Sequence, residues 1–406
     1  MRFNQNGKTH LKTDKLEESS VKLLKTRTWI SRLIEHDPEI SMSAMELIKY
    51  WGYPAEEHVV ITNDGYILKI HRIPFGRNRK ISKARPVIFM QHGLEGSSTN
   101  WITNLPNESA VKTSILHKIF IFGFIFADSG FDVWLGNVRG NAYGDKHVNL
   151  TTEDKKFWQF SWDEMAKYDL PAMIDYVLQV TNQNSLYYLA HSQGTLIGFA
   201  QFSQNPLWAQ KIKAFFALGP VVTVKHIGGL LQYIAPFTNE IEEFFKLFGI
   251  NRFTINKEVM QIISETICTA HITSPLCENV YFLIGGAISH QLNDTRVPIY
   301  MSHNPSGTSV QNMIHFGQCV NSGKFQMYDY GVIHNLLKYG QRKPPLYNLK
   351  NMQVSTAIFW GNLDILANKD DIENSIIPVV ENLIGNFEYS DFNHLDFLWG
   401  LKAAPK

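Results

Sequence analysis

Strand-like and helix-like segments alternate along the first half of the chain. The runs with the length and apolar content of buried strands are 86–91, 131–135, 185–190 and 214–218. Between these runs, residues 162–180 and 194–205 carry apolar side chains at helical spacing. Strands that alternate with helices predict a mostly parallel sheet that helices cover on both faces. The chain is therefore expected to adopt an α/β fold.

This alternation stops at about residue 222. From there to about residue 348 the sequence is rich in aromatic residues and short apolar segments, and sheet-like runs return at 356–360 and 387–392. A block without sheet strands between sheet strands is typical of a cap inserted into an α/β core. The predicted parts are a polar N-terminal extension at 1–38, the first part of the core at 39–221, a cap or lid subdomain at 222–348 and the second part of the core at 349–406.

Charge and hydropathy exclude some classes of function. The 406 residues carry a formal net charge of +1 and no long basic run, which argues against nucleic acid as a partner. No stretch reaches the 18 apolar residues of a membrane span; the longest runs from Ile119 to Ala127. The segment from Met1 to Lys15 lacks the apolar core of a signal peptide, so the sequence taken literally is not exported.

The cysteines and the glycosylation triplets say little about the fold or the function of the chain. Three cysteines are too few for a disulfide framework and have the wrong spacing for a zinc site. Cys268 and Cys277 are close enough in sequence to close a short loop, and two independent buried thiols are the alternative. N-glycosylation triplets begin at Asn107, Asn149 and Asn293, a number that also arises by chance in a chain this long.

The strongest chemical signal is the pentapeptide Ala190-His191-Ser192-Gln193-Gly194, which lies between a predicted strand and a predicted helix. A nucleophilic serine in such a turn needs small residues two positions away on either side, because the backbone folds tightly there. Glycine is usual at the first of these positions, and this chain has Ala190. Small-x-Ser-x-small also occurs by chance, but the strand before and the helix after favour Ser192 as a nucleophile.

A second signal is the tripeptide His92-Gly93-Leu94, directly after the predicted strand at 86–91. In a serine hydrolase of this architecture, this loop and the residue after the nucleophile each supply one backbone N–H to the oxyanion hole. The amides of Leu94 and Gln193 are therefore predicted to form the hole. An ordinary glycine turn is the alternative for the tripeptide on its own.

The remaining catalytic partners should follow the serine in the order carboxylate, then histidine. Asp364 comes just after the predicted strand at 356–360, and His394 just after the one at 387–392. Both stand at the carboxyl ends of strands, where α/β proteins form their sites. Surface or capping roles are predicted for Asp370, Asp371, Asp391 and Asp396. Structural roles are predicted for the other histidines, including His191, His303 and His315.

From about residue 38 onward the chain resembles the acid lipases, the group of gastric and lysosomal acid lipases. The blocks that carry the resemblance are YWGYPAEEH (50–58), NDGYILKIHRIP (63–74), QHGLEGSSTNWITNLP (91–106), FDVWLGNVRGN (131–141), FWQFSWDEMAKYDLPAMIDY (157–176), AHSQGT (190–195), SHNPSGTSVQNMIHFGQ (302–318), GKFQMYDYG (323–331) and FNHLDFLWG (392–400).

The resemblance implies an α/β-hydrolase fold with a cap, part of which acts as a lid over the site. It assigns the family's catalytic triad to Ser192, Asp364 and His394, and its oxyanion amides to Leu94 and Gln193. Members hydrolyse triacylglycerols or cholesteryl esters at lipid surfaces, often at acid pH, after secretion or in lysosomes. The implied mechanism needs no metal or cofactor.

The sequence also departs from the family pattern. Ala190 replaces the usual glycine, and Gly285 stands where many members have a third cysteine, so a Cys268–Cys277 bridge does not follow from the resemblance. The segment from Val111 to Phe122 is extra, and we hypothesise that it is a retained intron. Two other functions stay open: a carboxylesterase or acyltransferase acting on shorter esters, and a lipid-binding homologue that has lost turnover.

Overall fold

The computed structural model describes residues 37–77, 85–105, 122–254, 286 and 289–401. Within these ranges the main structure is a nine-stranded sheet. Its strands are β1 (Glu56–Ile61), β2 (Tyr66–Ile73), β3 (Val87–Gln91), β4 (Asp132–Leu135), β5 (Lys146–His147), β6 (Leu186–His191), β7 (Ile212–Leu218), β10 (Thr356–Gly361) and β11 (Leu383–Tyr389). A separate two-stranded ribbon pairs β8 (Arg252–Phe253) with β9 (Thr308–Ser309).

The order of strands across the sheet is β1-β2-β4-β3-β6-β7-β10-β11, with β5 paired to β2. The first two strands form an antiparallel hairpin, and β2 also runs antiparallel to β4. From β4 to β11 every neighbouring pair is parallel. The carboxyl ends of these six strands therefore meet at one edge of the sheet.

In the described ranges, one α-helix precedes β1, one follows β11, and the others lie between strands, several of them in the segment between β7 and β10. They are α1 (Ala44–Tyr50), α2 (Phe122–Asp128), α3 (Trp162–Glu164), α4 (Leu170–Thr181), α5 (Gln193–Gln204), α6 (Gly229–Ile234), α7 (Thr238–Leu247), α8 (Val297–His303), α9 (Val310–Ser322), α10 (Val332–Tyr339), α11 (Lys369–Ser375) and α12 (Asp396–Trp399). A π-helical turn, Met165–Asp169, joins α3 to α4. None of the helices described here is long and apolar enough to cross a bilayer.

Two large apolar clusters form the core of the sheet, one on each face, and a third, smaller cluster lies around α9. Strand β3 contributes to both large clusters, because alternate side chains of a strand point to opposite faces. Phe89 packs into one cluster, whereas Ile88 and Met90 pack into the other. All five residues of β3 are buried, as expected for a central strand of a parallel sheet.

The predicted α/β architecture is confirmed, and the predicted strands at 86–91, 131–135, 185–190, 214–218 and 356–360 overlap the observed ones closely. The strand predicted at 387–392 is placed wrongly: β11 starts at Leu383 and ends at Tyr389. As the last strand of the sheet, β11 leaves most of its side chains at least partly exposed to solvent. Its first half therefore lacks the apolar run by which a buried strand is found in a sequence.

Candidate active site

Ser192 occupies a tight turn between β6 and α5. Its backbone has φ 53° and ψ −124°, a conformation that residues other than glycine rarely adopt. Its N–H donates to the carbonyl oxygen of Leu218 at the end of β7, at 3.0 Å. The predicted strand–turn–helix is confirmed, and the strained turn raises the serine above the carboxyl edge of the sheet.

The residues two positions before and after Ser192 are small because of close packing. A Cβ added at Gly194 would lie 2.5 Å from the carbonyl oxygen of Gln91, closer than real Cβ contacts allow. Ala190 is fully buried in β6, in register with Gln91 on one side and Ala217 on the other. The alanine methyl that replaces the usual glycine is therefore accommodated within the sheet.

His394 and Asp364 form a buried pair. The ring Nδ1 of His394 lies 2.8 Å from Oδ2 of Asp364, and both side chains are almost fully buried. The other carboxylate oxygen, Oδ1, accepts hydrogen bonds from the amides of Leu366 at 2.9 Å and Ala367 at 2.8 Å. These two amides fix the carboxylate plane, which in turn orients the imidazole.

The imidazole lies beside the serine turn. A Cβ added at Gly219 would be 3.2 Å from both Nδ1 and Cε1 of His394, and the preceding residue, Leu218, holds the Ser192 amide. With Nδ1 donating its proton to Asp364, a neutral ring keeps a lone pair on Nε2. Within the described part of the chain this buried Nε2 has no hydrogen-bond partner.

The ring of His191 also contacts His394. The Nε2–H of His191 donates to the backbone carbonyl of His394 at 2.8 Å, and the two ring centroids are 4.6 Å apart. Burial, with a further contribution from His394, holds the pKa of His191 well below its usual value. The ring therefore stays neutral and fixes the His394 backbone, which agrees with the predicted structural role of His191, although the sequence does not indicate this partner.

The loop after β3 lies against the serine. A Cβ added at Gly93 would lie 2.9 Å from the Cβ of Ser192. The loop is closed by a hydrogen bond from the amide of Gly96 to the carbonyl of Gly93 at 3.1 Å. Over the described residues, neither the amide of Leu94 nor that of Gln193 has an acceptor. Both predicted oxyanion donors are thus free to bind an incoming oxygen.

Comparison with known proteins gives the family of the chain. A family model described as a partial alpha/beta-hydrolase lipase region matches residues 44–105, and one for the alpha/beta hydrolase fold matches residues 86–242. Lipase lipl-1 of Caenorhabditis elegans is 46% identical over 377 residues, which are 91% of this chain and 90% of the relative. Human gastric triacylglycerol lipase is 44% identical, with 94% and 92% covered. Human lysosomal acid lipase/cholesteryl ester hydrolase is also 44% identical, with 92% and 90% covered. The chain belongs to the acid lipase family.

In this acid lipase the side chain of Gln193 connects the serine turn to the segment between β7 and β10. Its Oε1 accepts a hydrogen bond from Nδ2 of Asn312 on α9 at 2.7 Å, and its Nε2 donates to Sδ of Met165 at 3.5 Å. Both polar atoms of the side chain are therefore engaged, so neither competes for the backbone amide of the same residue.

Two of the four acidic residues with predicted surface or capping roles, Asp371 and Asp396, are instead buried and have structural partners. Asp371 accepts hydrogen bonds from Thr223 and from the amide of His226. Asp396 accepts from Ser289 and from the amide of Asn393.

Two further histidines also have the predicted structural roles. His303 lies 2.9 Å from the carbonyl of Glu39, and His315 bridges Ser161 and the carbonyl of Gln326.

Only some of the residues predicted to form a disulfide or to carry a glycan lie within the described ranges. Cys268, Cys277 and Asn107 lie outside the described residues, as does most of the segment from Val111 to Phe122. Asn149 is exposed. Asn293 is half-buried, and its side-chain oxygen accepts from the amide and hydroxyl of Thr295.

Proposed function

We propose that this chain is a serine lipase that cleaves triacylglycerols or cholesteryl esters through an acyl-enzyme, with Ser192, Asp364 and His394 as its triad. The observation that carries the proposal is the buried His394–Asp364 pair, 2.8 Å between Nδ1 and Oδ2, whose opposite ring nitrogen is unpartnered within the described residues. A neutral imidazole held this way beside a serine in a strained turn is a general base.

In the first step the Ser192 hydroxyl attacks the ester carbonyl, and Nε2 of His394 takes its proton. The carboxylate of Asp364 keeps the proton of the imidazole on Nδ1 and stabilises the imidazolium that forms. The ring then gives the proton to the departing alcohol oxygen. The fatty acyl group stays on Ser192 as an ester.

The second step repeats this chemistry with water. His394 takes a proton from water, which attacks the acyl carbonyl, and Ser192 leaves with the proton restored to it. In both steps the negative oxygen would accept hydrogen bonds from the amides of Leu94 and Gln193. Each such donor contributes roughly 2.7–4 kcal/mol to the stabilisation of the transition state.

Residues 222–348 would form the cap that covers the acyl chain. The described part of this segment holds several helices and only the two-stranded ribbon β8–β9, and none of its strands joins the main sheet. Through Asn312 it contacts Gln193, the residue after the proposed nucleophile. The cap would therefore exclude water from the site and open at a lipid–water interface.

The proposed compartment is the lysosome or the secreted fraction, as the printed names of the gastric and lysosomal relatives suggest. In that compartment Asn149 is the better of the two described glycosylation sites, because its side chain is exposed. The side-chain oxygen of Asn293 is already engaged by Thr295.

The experiment that tests the proposal is fatty-acid release from short- and long-chain triacylglycerols and cholesteryl oleate by the wild-type chain and by Ser192→Ala. We expect release from the long-chain substrates that vanishes in the variant. Release from short esters alone would indicate a carboxylesterase. Transfer of the acyl group to added alcohols would indicate an acyltransferase, and lipid binding by a folded chain without release would indicate a homologue that has lost turnover.

A further inference from the structure

Helix α10 presents its apolar side to solvent. Its exposed side chains include Ile333 and Leu337, which are 72% and 80% exposed, with Val332 and Leu336 about half exposed beside them. The spacing i, i+1, i+4, i+5 places all four on one stripe of the helix. Such a stripe ordinarily faces a protein core.

The opposite side of α10 is held to the protein by polar contacts. The buried amide of Asn335 donates to Oδ1 of Asp329 at 2.7 Å and to the carbonyl of Arg342 at 3.1 Å. Its oxygen accepts from the amide of Tyr330 at 3.0 Å. The helix is therefore anchored through hydrogen bonds, and its apolar stripe is left exposed in the described part of the chain.

The segment of the chain that contains the stripe is basic in sequence. From Gly331 to Leu363 the sequence contains no aspartate or glutamate, and the segment directly after α10 exposes Arg342, Lys343 and the apolar Leu346. Among the described residues no ion pair engages Arg342 or Lys343. An apolar stripe beside uncompensated cations is the pattern of a helix that lies in a membrane interface, where the cations meet anionic headgroups.

A second group of exposed apolar side chains lies on α7, which borders a cavity together with α10. His334 and Lys338 of α10 line a cavity of about 720 Å³ together with Phe245 and Lys246 of α7. At the end of α7, the side chains of Phe244, Leu247 and Phe248 are more than half exposed. Exposed apolar side chains thus stand on both helices that border this cavity, and exposed apolar patches mark interaction sites.

We propose that the stripe Val332, Ile333, Leu336 and Leu337, with Arg342 and Lys343 beside it, docks the chain on an anionic lipid–water interface. This inference rests on the proposed function, which needs the enzyme to reach substrate at such a surface. A second copy of the chain is disfavoured as the occupant, because a symmetric contact through this face would bring the unpaired cations of both copies together.

The test measures binding to vesicles of phosphatidylcholine with and without phosphatidylglycerol, in a Ser192→Ala background so that lipid is not consumed. We expect the double variant Ile333→Gln/Leu337→Gln to lose about tenfold or more in affinity for the anionic vesicles, from the apolar area it removes. The matched control is Leu207→Gln, a side chain 64% exposed in the turn before β7, and it should bind as the parent does. Equal affinity of the double variant and the control would overturn the proposal.

A charge variant and a size measurement separate the remaining outcomes. Arg342→Gln/Lys343→Gln should reduce binding to the anionic vesicles and leave the weaker binding to pure phosphatidylcholine unchanged. A parent that is dimeric by light scattering, and monomeric after Ile333→Gln/Leu337→Gln, would instead assign the stripe to a second copy and overturn the lipid assignment. Hydrolysis of a soluble short ester by the chain with Ser192 intact reports on the proposed function separately, and it should be the same with and without the Ile333 and Leu337 substitutions.

Discussion

At the residue scale, Gly219 tests whether the position of His394 matters to activity. Its φ is +51°, and an added Cβ would touch the imidazole at 3.2 Å. We predict that Gly219→Ala lowers kcat on a soluble ester by about tenfold or more, because the imidazole must shift to make room for the methyl group and small displacements at a reacting centre are costly. Initial rates at saturating substrate give the value.

The matched control for this variant is Gly340→Ala. That glycine also has a positive φ, +71°, but nothing lies within 4 Å of the added Cβ. Both variants should lose roughly 1–2 kcal/mol of unfolding free energy from the backbone conformation alone. If kcat falls equally in both, the loss reflects general destabilisation, and the close approach of Gly219 to His394 is irrelevant to catalysis.

Glu95, the residue after Leu94, gives the stability of the fold a defined pH dependence. Its Oε1 is buried without a hydrogen-bond partner in the described structure, and burial raises its pKa from 4.5 to about 7. Between these values the folded chain binds more protons at this site than the unfolded chain does. Stability from this group is therefore lost as the pH rises from about 4.5 to about 7.

Replacing Glu95 by glutamine should remove this loss, since an amide does not ionise. We predict that Glu95→Gln matches the wild type near pH 4 and exceeds it at pH 8 by on the order of 2–3 kcal/mol of unfolding free energy. Denaturant unfolding at a series of pH values measures the difference. Parallel pH profiles for the two proteins would show that the carboxyl is not held in its neutral form.

Only part of the site could be found from single residues of the sequence. Ser192 was predictable as a candidate because its strained turn demands small residues two positions away on either side, within a single short motif. The contacts of His191 and Gly219 were not, because they bring together residues far apart in sequence; His191 and His394 are separated by 203 positions. Such contacts leave no local pattern.

At the element scale, Arg139 in the loop after β4 ties this loop to the β1–β2 turn and to the π-helical turn. Its guanidinium pairs with Asp169 at the π-helical turn, at 2.6 Å, and with Asp64 in the β1–β2 turn, at 2.7 Å. Both Arg139 and Asp169 are fully buried. Removing the cation would leave an uncompensated buried carboxylate.

We predict that Arg139→Met lowers the unfolding free energy by roughly 3–5 kcal/mol, the usual cost of breaking a buried pair from one side. The control is Lys211→Met, which removes a partner of Asp175 in an exposed pair and should cost about 1 kcal/mol or less. Urea denaturation of both variants measures the costs. Similar small losses would mean that water or a rearranged side chain compensates Asp169.

Sequence patterns located the central elements better than the peripheral ones. The buried parallel strands are continuous apolar runs, so their positions were predictable. The edge strand β11 and helix α10 were not, because neither buries the side chains that a pattern would assign to a core. In α10 the apolar side chains have the spacing of a core-facing helix, but they point to solvent.

At the scale of the whole molecule, the site is a consequence of topology. Ser192, Asp364 and His394 follow β6, β10 and β11, whose carboxyl ends meet at one edge of the sheet. This is why chain order and strand ends were enough to nominate all three from the sequence. The extent of the cap was not settled in this way, since its predicted boundaries at 222 and 348 rest only on the loss of the strand–helix rhythm.

The central claim is that Ser192 is the nucleophile of an acyl transfer, and covalent labelling tests it most directly. A long-chain alkyl phosphonate with a p-nitrophenyl leaving group should be attacked by the activated serine, which displaces p-nitrophenolate and keeps the phosphonate. The account predicts one label per chain, located on Ser192 by peptide mass spectrometry, absent in Ser192→Ala and formed more slowly in Asp364→Asn. A label on a different residue, or ester hydrolysis that persists in Ser192→Ala, would contradict it.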